Sequence, residues 1–483
     1  MSTVSHAPSP APVSALMLVS RARLALAIKL LAAGTGYGFA VAMARLLGAQ
    51  GFGIVGVSLA AATFLSVLGA RGAQMAALRF VPPLAGSRDA KATLCRFSGW
   101  ALRRATGGAA AVAIVALPAA AVLADAGWLD GFSPPAILAG LLLVPLVGWS
   151  DMVAHLTRAS GHLALSLLPK EVFWRASVLL AAALMTTVAP LTPVAVLLVL
   201  GLALAAICLA QTALLYRATG IAAAPFPVRP VDRDWPQAAR SFWVSSVSNI
   251  FLSYGDVALV GIIAGARSAG LYFAANRLAM LLAFLLTSYN VVLGPALADL
   301  WQRGEASRFA ELVHRATLKA TLPTAVLGLG LFVGAPAILG LFGDGFAQAA
   351  PVLRLLILAR LVNAAAGPTD IALNMAGEHR AAMRASIVAL ILGAGCLVSG
   401  ALAMGAPGVA AGVLCASLLR KGLFWDLAHR RLGTRCDIAA AVRAAAAPAA
   451  SAAPVTPAAP AVPAPGMPAA PVAAAAPAPG AEP

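Results

Sequence analysis

The sequence predicts an all-α polytopic membrane fold of about twelve transmembrane helices, each about 20 residues long. Three observations carry that reading. Of 483 residues, 61% are hydrophobic and only 11% charged, with a mean hydropathy of +0.89, whereas a soluble domain is about 45–50% apolar and about 25% charged. Apolar runs of membrane-crossing length recur along most of the chain. Lysine and arginine collect in alternate loops between those runs, which is the sidedness that membrane insertion imposes. Whole-chain disorder is excluded because it requires low hydrophobicity. The 5 cysteines show no CxxC pair or ligand spacing and read as small hydrophobes.

The runs fall near 24–45, 51–70, 107–127, 135–154, 172–190, 193–216, 241–264, 272–296, 319–342, 351–374, 382–404 and 408–428. The fifth opens with Arg175 near its start. The first twenty residues lack the basic, apolar and small-residue order of a cleavable signal, so the first span is expected to be retained. One set of loops holds Arg71, Arg79, Arg88, Lys91, Arg96, Arg103 and Arg104, then Arg158 and Lys170, and continues through Arg217, Arg240, Arg303, Arg315 and Arg380. The opposite set offers only Arg45 and Arg267. The positive-inside rule places the rich set and both termini in the cytoplasm, which requires an even number of spans. The formal charge of +17 therefore reads as membrane sidedness, with no call for nucleic acid. The outer loops hold little beyond Asp125, Asp130 and Asp344, leaving no room for an extramembrane catalytic domain.

The expected organisation is a short cytoplasmic N-terminus over 1–20, a first lobe of six helices over 21–220, a cytoplasmic linker over 221–239, a second six-helix lobe over 240–435, and a disordered Ala/Pro-rich cytoplasmic tail over 436–483. The linker is marked by Pro225, Pro227, Pro230 and Pro236. The lobes match one another weakly. Tyr37-Gly38 corresponds to Tyr254-Gly255, Gly48-Ala49 to Gly265-Ala266, and Gly53 to Gly270, at one ungapped offset of about 217 residues. Six spans separate the matched helices, so the repeat is of the parallel kind, with its axis along the membrane normal.

Charges inside hydrocarbon are costly and usually face a cavity or a partner. The candidates are Lys29, Arg45, Asp151, Asp256, Arg277, Arg354, Arg360 and Asp370. Lys29, Arg45 and Arg354 sit near helix ends, where long side chains can snorkel. In the seventh span Ser245, Asn249, Ser253 and Asp256 recur at helical spacing; in the tenth, Arg360, Asn363, Gly367, Asp370 and Asn374 do so. Asn276 and Arg277 are polar positions of the eighth. Such stripes serve either as a cavity lining or as helix–helix glue, for instance an Asp256–Arg277 pair. Asp151, His155, Arg158 and His162 align at the end of the fourth span; they read either as a proton relay, since His titrates near neutral pH, or, favoured here, as an ion pair at a wetted helix end. Gly51, Gly53 and Gly56 match GxGxxG but lie between two spans, without the Rossmann strand or distal acid that would give the motif meaning. There is no HExxH, no P-loop and no exposed carboxylate pair, so no enzyme chemistry and no metal site is expected.

Four segments carry a family resemblance: Arg45–Gly53 (RLLGAQGFG), Ala77–Pro82 (ALRFVP), Gly270–Leu278 (GLYFAANRL) and Ala376–Arg380 (AGEHR). They resemble the Wzx-type polysaccharide-biosynthesis flippases of the MATE-like multidrug/oligosaccharidyl-lipid/polysaccharide (MOP) exporter superfamily, over about residues 21–430. The resemblance implies two six-helix lobes forming a V around a cavity lined by helices one, two, seven and eight. It also implies transfer of undecaprenyl-diphosphate-linked oligosaccharides from the inner to the outer leaflet of a bacterial inner membrane, for O-antigen or exopolysaccharide synthesis beside a polymerase machinery. Arg45, Asp256 and Arg277 fall on recurring family positions. On that reading Arg277, Arg360, Arg45 and Lys29 hold the diphosphate, since guanidinium groups bind phosphate oxygens in pairs. Asn249, Asn276, Asn363 and Asn374 offer polar contacts to the sugars. Asp256 or Asp370 could couple to H+ or Na+, with no other cofactor. The lipid II flippases of the superfamily commonly have fourteen spans, more than are counted here. The alternative is a MATE-type ion-coupled exporter of drugs or metabolites, which an excess of buried cations disfavours for cationic solutes.

Overall fold

The computed structural model describes residues 15–85, 91–187, 190–220, 234–433 and 436–446. It is all-helical among those residues, as expected. The first lobe comprises α1 (Ala15–Ala70), α2 (Ala73–Ala85), α3 (Lys91–Asp125), α4 (Pro134–Ala159), α5 (Leu163–Leu168), a π turn (Pro169–Phe173), α6 (Trp174–Met185) and α7 (Pro193–Thr219). The second comprises α8 (Asp234–Gln302), α9 (Ala306–Val333), α10 (Ala335–Gly340), α11 (Ala350–Ala365), α12 (Thr369–Met375), α13 (His379–Leu432) and α14 (Ile438–Ala446).

Eight continuous segments among the described residues are long and apolar enough to cross a membrane. Three of them carry two expected spans each. Their limbs join at Gly48 in α1 (φ 65°, ψ −179°), Gly265 in α8 (φ 78°, ψ 173°) and Gly405 in α13 (φ 60°, ψ −134°). A positive φ with such a ψ is open essentially to glycine alone, so each hairpin reverses at one residue without a loop. The fifth expected span, α5 through α6, stands outside the eight because the π turn and its charged residues interrupt it.

The internal repeat is written into the packing of the two lobes. A Cβ on Gly53 would lie 1.8 Å from the Ala266 carbonyl oxygen, and a Cβ on Gly270 would lie 1.9 Å from that of Ala49. Each glycine thus receives the backbone of the residue following the other lobe's hairpin glycine, a reciprocal contact that a pseudo-twofold axis requires. Around this crossing Phe52 packs on Phe273 (5.1 Å between ring centroids), Phe342 and Phe346. The Ala266 amide donates to Asp130 O at 3.0 Å, and Arg45 Nε donates to Leu341 O at 2.7 Å. One end of the bundle is closed by these contacts. At the other end, where the basic loops gather, the start of α8 straps onto the first lobe. Trp243 Nε1 donates to Leu68 O at 3.1 Å, and Trp235 meets Phe97 edge-on at 5.1 Å. The part of the expected linker within the described residues, from Asp234 onward, is therefore packed helix. The rest, 221–233, lies outside them.

Beyond 435 the expected tail begins with a packed segment. Cys436 and Ala441 are buried, and Thr317 Oγ1 donates to Cys436 O at 3.0 Å. Asp437 caps α14, accepting from Ala440 N at 3.3 Å and from Trp425 Nε1 at 3.1 Å. Residues after 446 lie outside the described residues. Burial pushes the Asp437 carboxyl up, but the Trp425 and backbone N–H donors outweigh it and hold its pKa below the ordinary value. A depressed carboxylate pKa stabilises the fold above the unfolded value of about 3.9, and that stabilisation is lost as pH falls through the folded pKa. Asp437→Ala should therefore loosen α14 by about 1 kcal/mol, and acid should do the same to the wild type. Faster amide exchange over 438–446, in the variant at neutral pH and in the wild type only under acid, is the expected reading.

Candidate functional site

Between α1 and the second limb of α8 lies a cavity of about 370 Å³. Its wall is built from Ala32, Gly36 and Tyr37 of α1, Tyr254, Arg277 and Phe284 of α8, and the π turn region. That last contribution was not expected from the resemblance: Lys170, Glu171 and Arg175 all face the cavity. Pro169 explains why. Proline has no N–H to donate four residues back and disturbs the helix where it sits, and the helix takes up an extra residue there as a π turn. The carbonyl of Leu165, left without its helical donor, accepts instead from Gln211 Nε2 of α7 at 2.7 Å. Trp174 Nε1, donating to Leu200 O at 3.0 Å, ties the next turn to the same helix.

The charges of this cavity are held unequally. Lys170 Nζ pairs with Asp151, so a carboxylate of the row that Asp151 forms with His155, Arg158 and His162 neutralises this cavity cation. His155 Nδ1 donates to the Asp151 carbonyl at 2.7 Å. Arg175 Nη1 donates to Ala32 O (3.1 Å) and Glu171 O (3.0 Å), and pairs with Glu171 Oε2 at 3.2 Å. Its guanidinium passes over Gly36, where a Cβ would sit 3.1 Å from Nη1. Arg277 has no carboxylate within ion-pair distance among the described residues; it lies over the Phe273 ring at 4.5 Å. With two cations matched and Arg277 unmatched, the cavity carries an excess of positive charge. Tyr37, Tyr254 and Trp174 give it aromatic faces.

The remaining candidates are dispersed. Arg360 is separated from Arg277: it lines a second cavity of about 220 Å³ within the second lobe, with Asn363 and Asp370. The wall between the cavities is α8, which turns Leu281 and Phe284 to one and Ala283 and Leu286 to the other. Arg45 lies at the closed crossing. Lys29 and Asn249 are on α1 and α8, with side chains outside the described residues. Asp256 is sealed, 3% exposed, with Tyr272 Oη donating to it at 2.8 Å and Val257 N at 2.8 Å. Arg277 is thus not its partner, while Arg360 lies within its electrostatic reach. Asn276 is buried, and its Oδ1 has no partner among the described residues. Asn363 Nδ2 donates to Ala359 O at 3.0 Å, and Asn374 lines neither cavity.

No protein-family model matches the sequence, and no curated protein does. Solved structures match the fold. A multidrug resistance MATE family transporter of the MOP superfamily, in an inward-facing conformation, superposes with a TM-score of 0.67 at 16% identity, covering 85% of this chain and 98% of that one. The lipid II flippase MurJ, in an inward closed conformation, gives 0.62 at 12% identity, covering 84% and 87%. A MOP superfamily transporter from Pyrococcus furiosus, described as having a binding pocket of reversed polarity, gives 0.53 at 15% identity, covering 85% and 94%. The chain has the polytopic all-α fold of the MOP-superfamily transporters.

Proposed function

We propose that this chain is a flippase that carries undecaprenyl-diphosphate-linked oligosaccharide repeat units across a bacterial inner membrane, for surface polysaccharide synthesis. The observation that carries the reading is the unmatched Arg277 in a cavity that also presents Lys170 and Arg175. An uncompensated cation at membrane depth is costly unless an anion visits it, and a diphosphate supplies one whose oxygens fit the guanidinium fork. Aromatic faces beside it suit sugar rings. The cavity between α1 and α8 would hold the head group while the isoprenoid stays among lipids. The orientation read from the basic loops puts the glycine crossing on the outer side, away from the cytoplasm where such cargo is made, and alternating access by rocking of the two lobes would release it outside. The multidrug exporters share this fold, and Glu171 is an anionic group in the cavity, but Arg175 already occupies it.

The test is a deletion strain in which undecaprenyl-diphosphate-linked oligosaccharide is quantified on each face of the inner membrane, together with surface polysaccharide. Accumulation on the cytoplasmic face with loss of polymer, restored by the wild type and not by Arg277→Ala, is the expected result. Unchanged glycolipid and polymer with altered sensitivity to toxic compounds would replace this reading with the exporter.

A further inference from the structure

The second cavity points to a separate oxyanion site, and this inference does not depend on what the first cavity carries. Two helices bring three cations to it, Arg360 from α11 and Arg420 and Lys421 from α13, with α9 closing the side through Thr317 and Ala320. The one carboxylate among the described residues of its wall, Asp370, is shared loosely. Lys421 Nζ stands 3.6 Å and Arg420 Nη2 3.9 Å from its oxygens. Lys421 also donates to Gly367 O at 3.3 Å, a carbonyl exposed by the break between α11 and α12. Arg360 Nε is buried and has no acceptor among the described residues. Even if Asp256, behind the wall, is counted for Arg360, three cations face two carboxylates.

A guanidinium with an unused N–H, inside a lobe built to cross a membrane, is a buried donor that lacks its acceptor, which is costly. The cavity has space for one: about 220 Å³, against about 30 Å³ for a water molecule in the liquid. Asn363 Nδ2 lies at its edge, 3.4 Å from Ser417 Oγ. From these observations the geometry points to a binding site for a phosphate-type oxyanion held by Arg360, Arg420 and Lys421. The shared chemistry is a phosphoryl group, either free in water or on the head of an anionic lipid.

The probe is inorganic pyrophosphate, titrated calorimetrically into the full chain in phosphatidylcholine nanodiscs. Wild type should show a site that Arg277→Gln leaves intact, whatever the first cavity binds. Arg360→Gln, or Arg420→Gln with Lys421→Gln, should weaken that site by about tenfold or more, the loss expected for a charge-assisted hydrogen bond. Asp370→Asn removes the competing carboxylate and should tighten it, a change that misfolding could not produce. If the natural occupant is a lipid, native mass spectrometry should find phosphatidylglycerol retained by wild type and lost from Arg360→Gln. The inference is overturned if Arg360→Gln and Lys421→Gln bind pyrophosphate and phosphatidylglycerol as wild type does, and Asp370→Asn tightens neither.

Discussion

Gly53→Ala and Gly270→Ala should each pry the lobes apart at their crossing, and neither should be tolerated as a small-residue exchange. The obstacle in both cases is a backbone carbonyl, at 1.8 and 1.9 Å from the added carbon, and a carbonyl held in a helix cannot rotate away as a side chain can. Overpacking a core costs about 1–3 kcal/mol when side chains can adjust, so a rigid backbone clash should reach or exceed the top of that range. The closed crossing would lose about a hundredfold in population at 3 kcal/mol. The native reporter is the Ala266 amide, hydrogen-bonded to Asp130 O. Its exchange should accelerate in both variants, along with the amides over 49–56. Protection equal to wild type would mean that the lobes do not meet as described. Gly36→Ala makes a useful contrast, because its neighbour is the end of the flexible Arg175 side chain and a small shift relieves it.

Reversing the charge of the first cavity should abolish carriage of a diphosphate lipid. Arg277→Glu replaces an unmatched cation with an anion, and Arg175→Glu additionally sets a carboxylate against Glu171, its present partner. Each lost charge-assisted hydrogen bond is worth about 1.5–3 kcal/mol, and repulsion adds to it. Arg277→Lys keeps the charge but loses the fork, so it should fall between. Proteoliposomes loaded with a fluorescent undecaprenyl-diphosphate sugar, scored by access of an external quencher, read this out. Transport by Arg277→Glu at the wild-type rate would remove the cationic cavity from the mechanism.

The hydropathy runs, the fifth apart, fall on the long apolar helices, because the bilayer imposes a length and polarity that a sequence must display. Gly48 and Gly265 were marked by the repeat, and the break between the runs 382–404 and 408–428 already put a reversal at Gly405, which has no matched partner. The cavity was half visible. Arg277 stood out as a charge within an apolar run, but Lys170 counted among loop cations and Arg175 as an irregularity at a helix start. Helical periodicity could not place them, since the π turn interrupts the 3.6-residue period on which that reasoning rests. Arg420 and Lys421 lie toward the end of an apolar run, where snorkelling is the ordinary account of a basic residue. Nor could spacing show that Arg277 and Arg360 lie on opposite sides of α8, because each helix in turn reveals its stripe but not its azimuth.

The π turn ties two distant positions into one unit of inheritance. A helix advances about 100° per residue, so a chain that lost the extra residue at Pro169–Phe173 would swing Arg175 away from the cavity and toward the surface that Leu180 and Leu184 now present to lipid. Restoring an ordinary residue at 169 would return an N–H to the Leu165 carbonyl and leave the Gln211 side chain competing for it. Substitutions at 169 and 211 should therefore travel together among descendants of this sequence, and a lineage that changed only one would carry a buried amide without a purpose.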